Sequence, residues 1–167
     1  MKEPALVIIK PDGVKKQLIG NILDRFVQTG LEIVAVRLTT ASREQVESHY
    51  KHIKNMPFFN DVVSYLLGEL HHEKKILVIV YYGENATKKC RKMAGATNPE
   101  DADPASIRGS MGRVTTKGVY ENIVHVSATK REAKREIKLW FNPDDLLVNL
   151  YKSKEITLKS KRKRVWA

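Results

Sequence analysis

A chain of 167 residues with one cysteine and a net charge of +11 suits a single domain without disulfides. A domain of that length buries roughly 70% of its unfolded surface. No apolar run approaches the about 18 residues that span a bilayer, and the start has no signal-peptide pattern, so a cytoplasmic protein with no membrane partner is expected. The run Lys159-Ser160-Lys161-Arg162-Lys163-Arg164 carries five of the charges, leaving a body at +6 (11 − 5), which suits phosphate-bearing or nucleic-acid partners.

Ala5-Leu6-Val7-Ile8-Ile9 is a continuous apolar run, the pattern of a strand buried on both faces. Lys10-Pro11-Asp12-Gly13 ends it with turn chemistry, leaving Lys10 as a cation at the end of a buried strand. Ile19, Ile22, Leu23, Phe26 and Val27 fall at helical spacing before Gly30, and residues 31–38 read as a β-branched strand. Ser42-Arg43-Glu44-Gln45 has the form of a capping box, opening a helix with Val46, Tyr50 and Ile53 on one face. Pro57 can start the next helix, with Phe58, Val62, Tyr65, Leu66 and Glu69 on one stripe. By pattern alone Tyr50 and Phe58 are core residues. His71-His72 has no further Cys or His nearby and reads as surface.

Residues 76–82 form a second strand apolar on both faces, ended by Gly83. A helix over roughly residues 84–94 turns Ala86, Cys90, Met93 and Ala94 inward, with Arg91 at the border of that face. Residues 95–121 show no period, and connections of this length are often functional. This stretch holds Thr97, Asn98, Arg108 and Arg113, all able to bind phosphate oxygens.

It leads into Asn122-Ile123-Val124-His125-Val126-Ser127, a short strand in which alternation puts Ile123, His125 and Ser127 on one face. Thr129-Lys130-Arg131-Glu132 is a second capping box, and Ala133, Ile137, Trp140 and Phe141 form the buried stripe of its helix. Glu136 borders that stripe with no basic residue three or four positions away, so it needs a hydrogen bond in the core, and His125 is the candidate. Such a pair is either structural or a nucleophile or base with its orienting carboxylate. Asn142-Pro143 opens a last helical piece through Leu150, and residues 152–167 read as a basic tail on a domain of residues 1–151.

The order strand, helix, strand, helical insert, strand, helix, loop, strand, helix predicts an α+β fold of the ferredoxin-like, split βαβ type. Its four-stranded antiparallel sheet is expected to carry helices on one face. A Walker-type phosphate loop, a dinucleotide fingerprint, protein-kinase signatures and zinc-spaced ligands are all absent.

The chain resembles the nucleoside diphosphate kinases from about Ala5 to Pro143. The resemblance rests on Ile9-Lys10-Pro11-Asp12-Gly13-Val14, His49-Tyr50, Pro57-Phe58-Phe59, Arg91, Gly95-Ala96-Thr97-Asn98-Pro99, Ile107-Arg108-Gly109, the His125 strand, and Glu136-Ile137 with Leu139-Trp140-Phe141. It implies γ-phosphate transfer from a nucleoside triphosphate to a nucleoside diphosphate, in a ping-pong cycle through a phosphohistidine on His125. Glu136 would orient that ring, with Ser127 supporting Glu136. Lys10 and Asn122 would bind the sugar hydroxyls, and Arg91, Thr97 and Arg108 the phosphates. Tyr50 would lie beside the transferring group, Phe58 would stack on the base, and Val119 would be the second base contact. Mg2+ would arrive on the nucleotide phosphates, with no metal ligand from the chain.

The family assembles as hexamers or tetramers, so a homo-oligomer is implied. The sequence departs from the family pattern at Ala128, where an Asp usually follows the serine, and at Ser110-Met111, where Asp-Phe is usual. It also has extra residues between Arg108 and Asn122, and the basic tail. The competing reading is a non-catalytic relative that acts as a nucleic-acid or scaffold module through its basic surface, with weak nucleic-acid contact through the tail.

Overall fold

The computed structural model describes residues 2–157, so the basic run at 159–164 lies outside the described residues. In chain order the elements are β1 (Lys2–Ile9), α1 (Pro11–Lys15), α2 (Ile19–Val27), β2 (Glu32–Thr40), α3 (Arg43–His49), α4 (Phe59–Leu66) and β3 (Lys75–Glu84). There follow α5 (Ala86–Ala94), α6 (Ile107–Met111), β4 (Arg113–Val114), β5 (Tyr120–Glu121), β6 (Val124–Val126) and α7 (Lys130–Trp140). Four strands pair antiparallel in the order β2-β3-β1-β6, the expected split βαβ arrangement, and β4 and β5 form a separate hairpin.

Helices cover both faces of the sheet, not the single face expected. The two central strands explain this. On β1, Ala5, Val7 and Ile9 pack with Ile79 and Tyr81 of β3 under the crossover helices, against Ile22 and Phe26 of α2 and Ala86 and Cys90 of α5. Leu6 and Ile8 point the other way, with Val78 and Val80, against Val46 of α3, Val63 and Leu66 of α4, and Ala133, Ile137 and Trp140 of α7. A strand apolar on both sides leaves one side wet unless a second helical layer covers it. Each large aliphatic or aromatic side chain so buried contributes about 1.5–3 kcal/mol, and the helical insert with α7 supplies that layer.

Several boundaries differ from the periodicity. Alpha-helix α1 is too short to show a period. Val27, read as inward, is 70% exposed at the end of α2. Strand β3 runs through Gly83 to Glu84, pairing with Glu3 and Lys2. Residues 95–121 carry a turn at Pro99–Asp101, helix α6 and the β4–β5 hairpin. The helix predicted after Pro143 is only the turn Pro143–Asp145. A bulge between Ile33 and Ala35 interrupts the β2–β3 ladder, and the Leu147 N–H donates to the Val34 carbonyl there (2.9 Å), so the chain beyond the turn returns to β2 at that point.

Candidate active site

The site forms where β1 and β6 end side by side. The Lys10 N–H donates to the Ile123 carbonyl (2.8 Å), and the Val124 N–H reaches back to the Asn122 carbonyl (2.6 Å). Ile123 is thus the centre of a tight three-residue turn with φ of +66°, a strained position for a β-branched residue. Buried Asp12 stabilises it by accepting the Ile123 N–H (3.1 Å) and the Tyr65 hydroxyl (2.6 Å) on one oxygen. Gly13 lets α1 approach, since a Cβ there would lie 2.9 Å from Ile9 Cγ2 and 3.1 Å from Ile123 Cγ2. The turn breaks strand alternation. Ile123 joins Val124 and Val126 in the crossover-helix core, not the face of His125 as predicted.

His125 pairs with Ile8 in register, so its ring emerges toward α7. Its Nε2 lies 3.1 Å from Glu136 Oε2, and the Ser127 hydroxyl donates to the same oxygen at 2.6 Å. Glu136 is fully buried, not at the border of its stripe. Burial alone would raise its carboxyl. The His125 charge and hydrogen bond, then Ser127 and Arg135, outweigh burial and hold it below the usual range. An ionised carboxylate only accepts, so a proton of His125 lies on Nε2, and in the neutral ring the lone pair is then on Nδ1. The α7 capping box is half formed: Thr129 accepts the Glu132 N–H, but the Glu132 carboxylate reaches back to the Ala128 N–H.

Basic side chains lie at the same strand ends. Lys10 Nζ donates to Asn122 Oδ1 (2.7 Å) and lies 4.6 Å over the Tyr65 ring. Burial and then Arg108 push its ammonium from 10.5 down to about 7, against the pull of Asp12. Asn122 Nδ2 donates to the Thr97 carbonyl (2.9 Å). Arg108 is buried and donates to the carbonyls of Gly95 and Val124, both at 2.9 Å. Burial and then the Arg91 charge push it down to about 10. Like charges that depress one another are stabilised by an anion placed among them. Tyr50 is buried with its ring centroid 6.2 Å from that of His125, and burial followed by Glu136 raises its hydroxyl well above the usual range, so it stays a donor. Arg91 and Thr97 are exposed. Phe58, 44% exposed at the start of α4, and Val119, in the β4–β5 hairpin, share no hydrogen bond or ring contact with the His125 cluster among the described residues.

Periodicity did not single out four residues that matter here. Asp12 reads as turn chemistry, Tyr65 as core, and His49 only as half of the His49-Tyr50 motif. Glu121 is buried and collects Lys16 (2.9 Å), Arg113 (2.6 Å) and His71 (3.1 Å). His71, expected at the surface, is therefore mostly enclosed, because Glu121 draws it in, while His72 remains exposed. The sequence signal for Glu121 was a carboxylate closing the stretch that holds Arg108, Arg113 and Lys117.

Among the described residues, one group of three possible metal ligands brings donor atoms within 4.8 Å of one another: His49, His125 and Glu136. It does not suit Mg2+, which takes oxygen ligands. Trp140 Nε1–H donates to His49 Nδ1 (3.2 Å), so the His49 proton sits on Nε2 and that nitrogen has no lone pair to give. No helix among the described residues is long and apolar enough to cross a membrane.

Sheet order and a histidine among phosphate-binding side-chain types mark the class as a small α+β phosphotransferase. The sequence profile of the family "Nucleoside diphosphate kinase" matches residues 3–146. The chain is 42% identical over 144 residues to a nucleoside diphosphate kinase of Pyrococcus furiosus, covering 86% of each chain. It is 40% identical over 146 residues to one of Methanocaldococcus jannaschii, covering 87% of this chain and 98% of that one. A solved nucleoside diphosphate kinase of Borrelia burgdorferi, a transition-state mimic with vanadate and ADP, superposes with a TM-score of 0.79 at 29% identity, covering 91% and 93% of the two chains. That of Halobacterium salinarum in complex with CDP gives 0.78 at 33% identity, covering 87% and 91%. The chain belongs to the nucleoside diphosphate kinase family, kinases that bind nucleotides and use a divalent metal.

Proposed function

We propose that the chain moves the γ-phosphate of a nucleoside triphosphate to a nucleoside diphosphate in two displacements at His125. The observation that carries this reading is the Glu136–His125 contact, which commits Nε2 and leaves Nδ1 without a hydrogen bond among the described residues. In the first displacement Nδ1 attacks the γ-phosphorus, the bond to the bridging oxygen breaks, and the diphosphate leaves with that electron pair. In the second, a terminal oxygen of the acceptor diphosphate attacks the phosphohistidine, and Nδ1 recovers its lone pair. One site serves donor and acceptor in turn.

Glu136, supported by Ser127, holds the ring and balances the charge that forms on it. Arg108, Arg91 and Thr97 bind phosphate oxygens, where charge shifts during transfer. Lys10 and Asn122, already bonded to each other, bind the sugar hydroxyls, and the protonated Tyr50 donates beside the moving group. Phe58 offers an exposed ring for stacking, a contact tolerant of base identity, and Val119 is the second base contact. Mg2+ carried on the nucleotide neutralises phosphate charge.

The reading includes a homo-oligomer. Ile33, Val36 and Leu38 are 42%, 55% and 58% exposed on the sheet's edge strand β2, an apolar strip suited to a second copy. It also takes residues 1–151 as the phosphotransfer domain, 152–167 as a tail with weak nucleic-acid contact, and a cytoplasmic setting. Steady-state transfer from ATP to several diphosphates tests it: parallel double-reciprocal lines are expected, and His125→Asn should abolish transfer. Intersecting lines together with an active His125→Asn variant would overturn it.

A further inference from the structure

His49 ends α3 fully buried, yet the role proposed for the site leaves it unused. Three contacts fix it. Trp140 Nε1–H donates to its Nδ1 at 3.2 Å. Arg135 donates to its carbonyl at 2.9 Å and to that of Ser48 at 2.8 Å. Its ring stands edge-on to His125, with centroids 4.3 Å apart and planes at 75°. Both Trp140 and Arg135 lie on α7, the helix that carries Glu136. The Trp140 bond places the His49 proton on Nε2. Burial, then the charges of His125, Arg135, Lys10 and His52, hold the imidazole well below its usual value, so it is a neutral donor.

Two buried atoms in this cluster lack partners among the described residues, His49 Nε2 and Glu136 Oε1. One is a donor and the other an acceptor. A nitrogen of His49, a nitrogen of His125 and a carboxylate oxygen of Glu136 lie within 4.8 Å of one another. The Arg135 guanidinium donates to the two carbonyls, and its Nη2 stands 3.5 Å from Glu136 Oε1, beyond ordinary hydrogen-bond length. A buried polar atom without a partner is unfavourable, so two complementary ones in one cluster are a reason to join them. A small carboxylate rotation or one bridging water closes such a gap.

We propose that His49 is a positioning residue for His125, its Nε2–H serving as the donor to the second oxygen of Glu136. Glu136 is then held at both oxygens, by Ser127 on one side and His49 on the other, and presents His125 in one orientation. The inference rests on His125 being the nucleophile, but it is tested on the ring itself.

The test compares wild type with His49→Phe, which keeps the shape and loses the donor, His49→Gln, which restores an amide N–H, and Trp140→Phe, which releases the His49 tautomer. In wild type, nitrogen-15 spectra of the nucleotide-free protein should give one His125 ring state protonated at Nε2. His49→Phe should mix the two His125 tautomers and lower kcat by about 10–100-fold with KM within about twofold, the range seen when an orienting partner is lost. His49→Gln should recover most of kcat. Trp140→Phe should reproduce the mixed tautomers, and it carries the test if His49→Phe does not fold. A single His125 tautomer in every variant, or a kcat loss that His49→Gln does not relieve, would overturn the proposal. If the enzyme transfers phosphate without labelling His125, the reaction reading fails while the spectra still decide the positioning.

Discussion

Lys10→Met should stabilise the protein while removing its activity. Lys10 is almost wholly buried, and burial with Arg108 brings its ammonium from 10.5 to about 7. At about 1.4 kcal/mol per pH unit, keeping it charged in the fold costs about 5 kcal/mol. Methionine matches the stem but leaves Asn122 Oδ1 without the 2.7 Å donor, a penalty of about 1–3 kcal/mol. The net gain at pH 6 is about 2–4 kcal/mol, which is about 4–16 °C in Tm for a chain of this size. The sign with pH follows from linkage. Below pH 7 both folded and unfolded states hold the proton, so the penalty is complete; between 7 and 10.5 the unfolded state binds more protons, so wild-type stability rises with pH. Urea melts of both proteins at pH 6 and pH 9.5 should therefore show the variant's advantage shrinking at the higher pH. A variant less stable than wild type at pH 6, with no change in the difference at pH 9.5, would refute the reasoning.

Glu121→Gln should lower stability at pH 7, and by clearly less at pH 3. Arg113, Lys16 and His71 hold the Glu121 carboxyl far below its usual range against burial, so its contribution is complete above about pH 5 and is lost as pH falls through 4 toward the folded value; urea melts at the two pH values measure it. Gly109→Ala should cost about 1–3 kcal/mol by thermal denaturation, because the new methyl would overlap the Asp103 backbone carbonyl, and nucleotide KM should rise with the displacement of Arg108. Phe58→Ala should raise KM about 10-fold for purine and pyrimidine diphosphates alike with kcat little changed, the loss of one stacking contact of about 1–3 kcal/mol; unchanged KM for every base would remove Phe58 from the site.

The sheet and its main helices were legible because their residues follow simple periods. The apolar runs on β1 and β3 announced strands enclosed on both sides, and Ser42 with Gln45 does form its capping box. The second helical layer was implicit in those runs, since a doubly apolar strand needs two covers. What stayed hidden depends on long-range contacts. Helix α6 and the β4–β5 hairpin are too short to show a period. Nothing local marks Ile123 for positive φ, because its strain is offset by Lys10 and Asp12 more than a hundred residues earlier in the chain. His71 looked solvated until Glu121 came to it across 50 residues. At the site, the His125–Glu136 contact was readable because an apolar stripe left the carboxylate without a local partner. His49 was not, since its use rests on which nitrogen Trp140 engages.

The decisive measurement is the site of covalent phosphate. The enzyme is mixed with a nucleoside triphosphate in the absence of acceptor, and its intact mass and a proteolytic map are read at alkaline pH. The mechanism predicts one added phosphoryl group per active chain on His125, lost on acid treatment and discharged at once by any nucleoside diphosphate. Full transfer activity with no such group, or with the phosphoryl group on another residue, would contradict it.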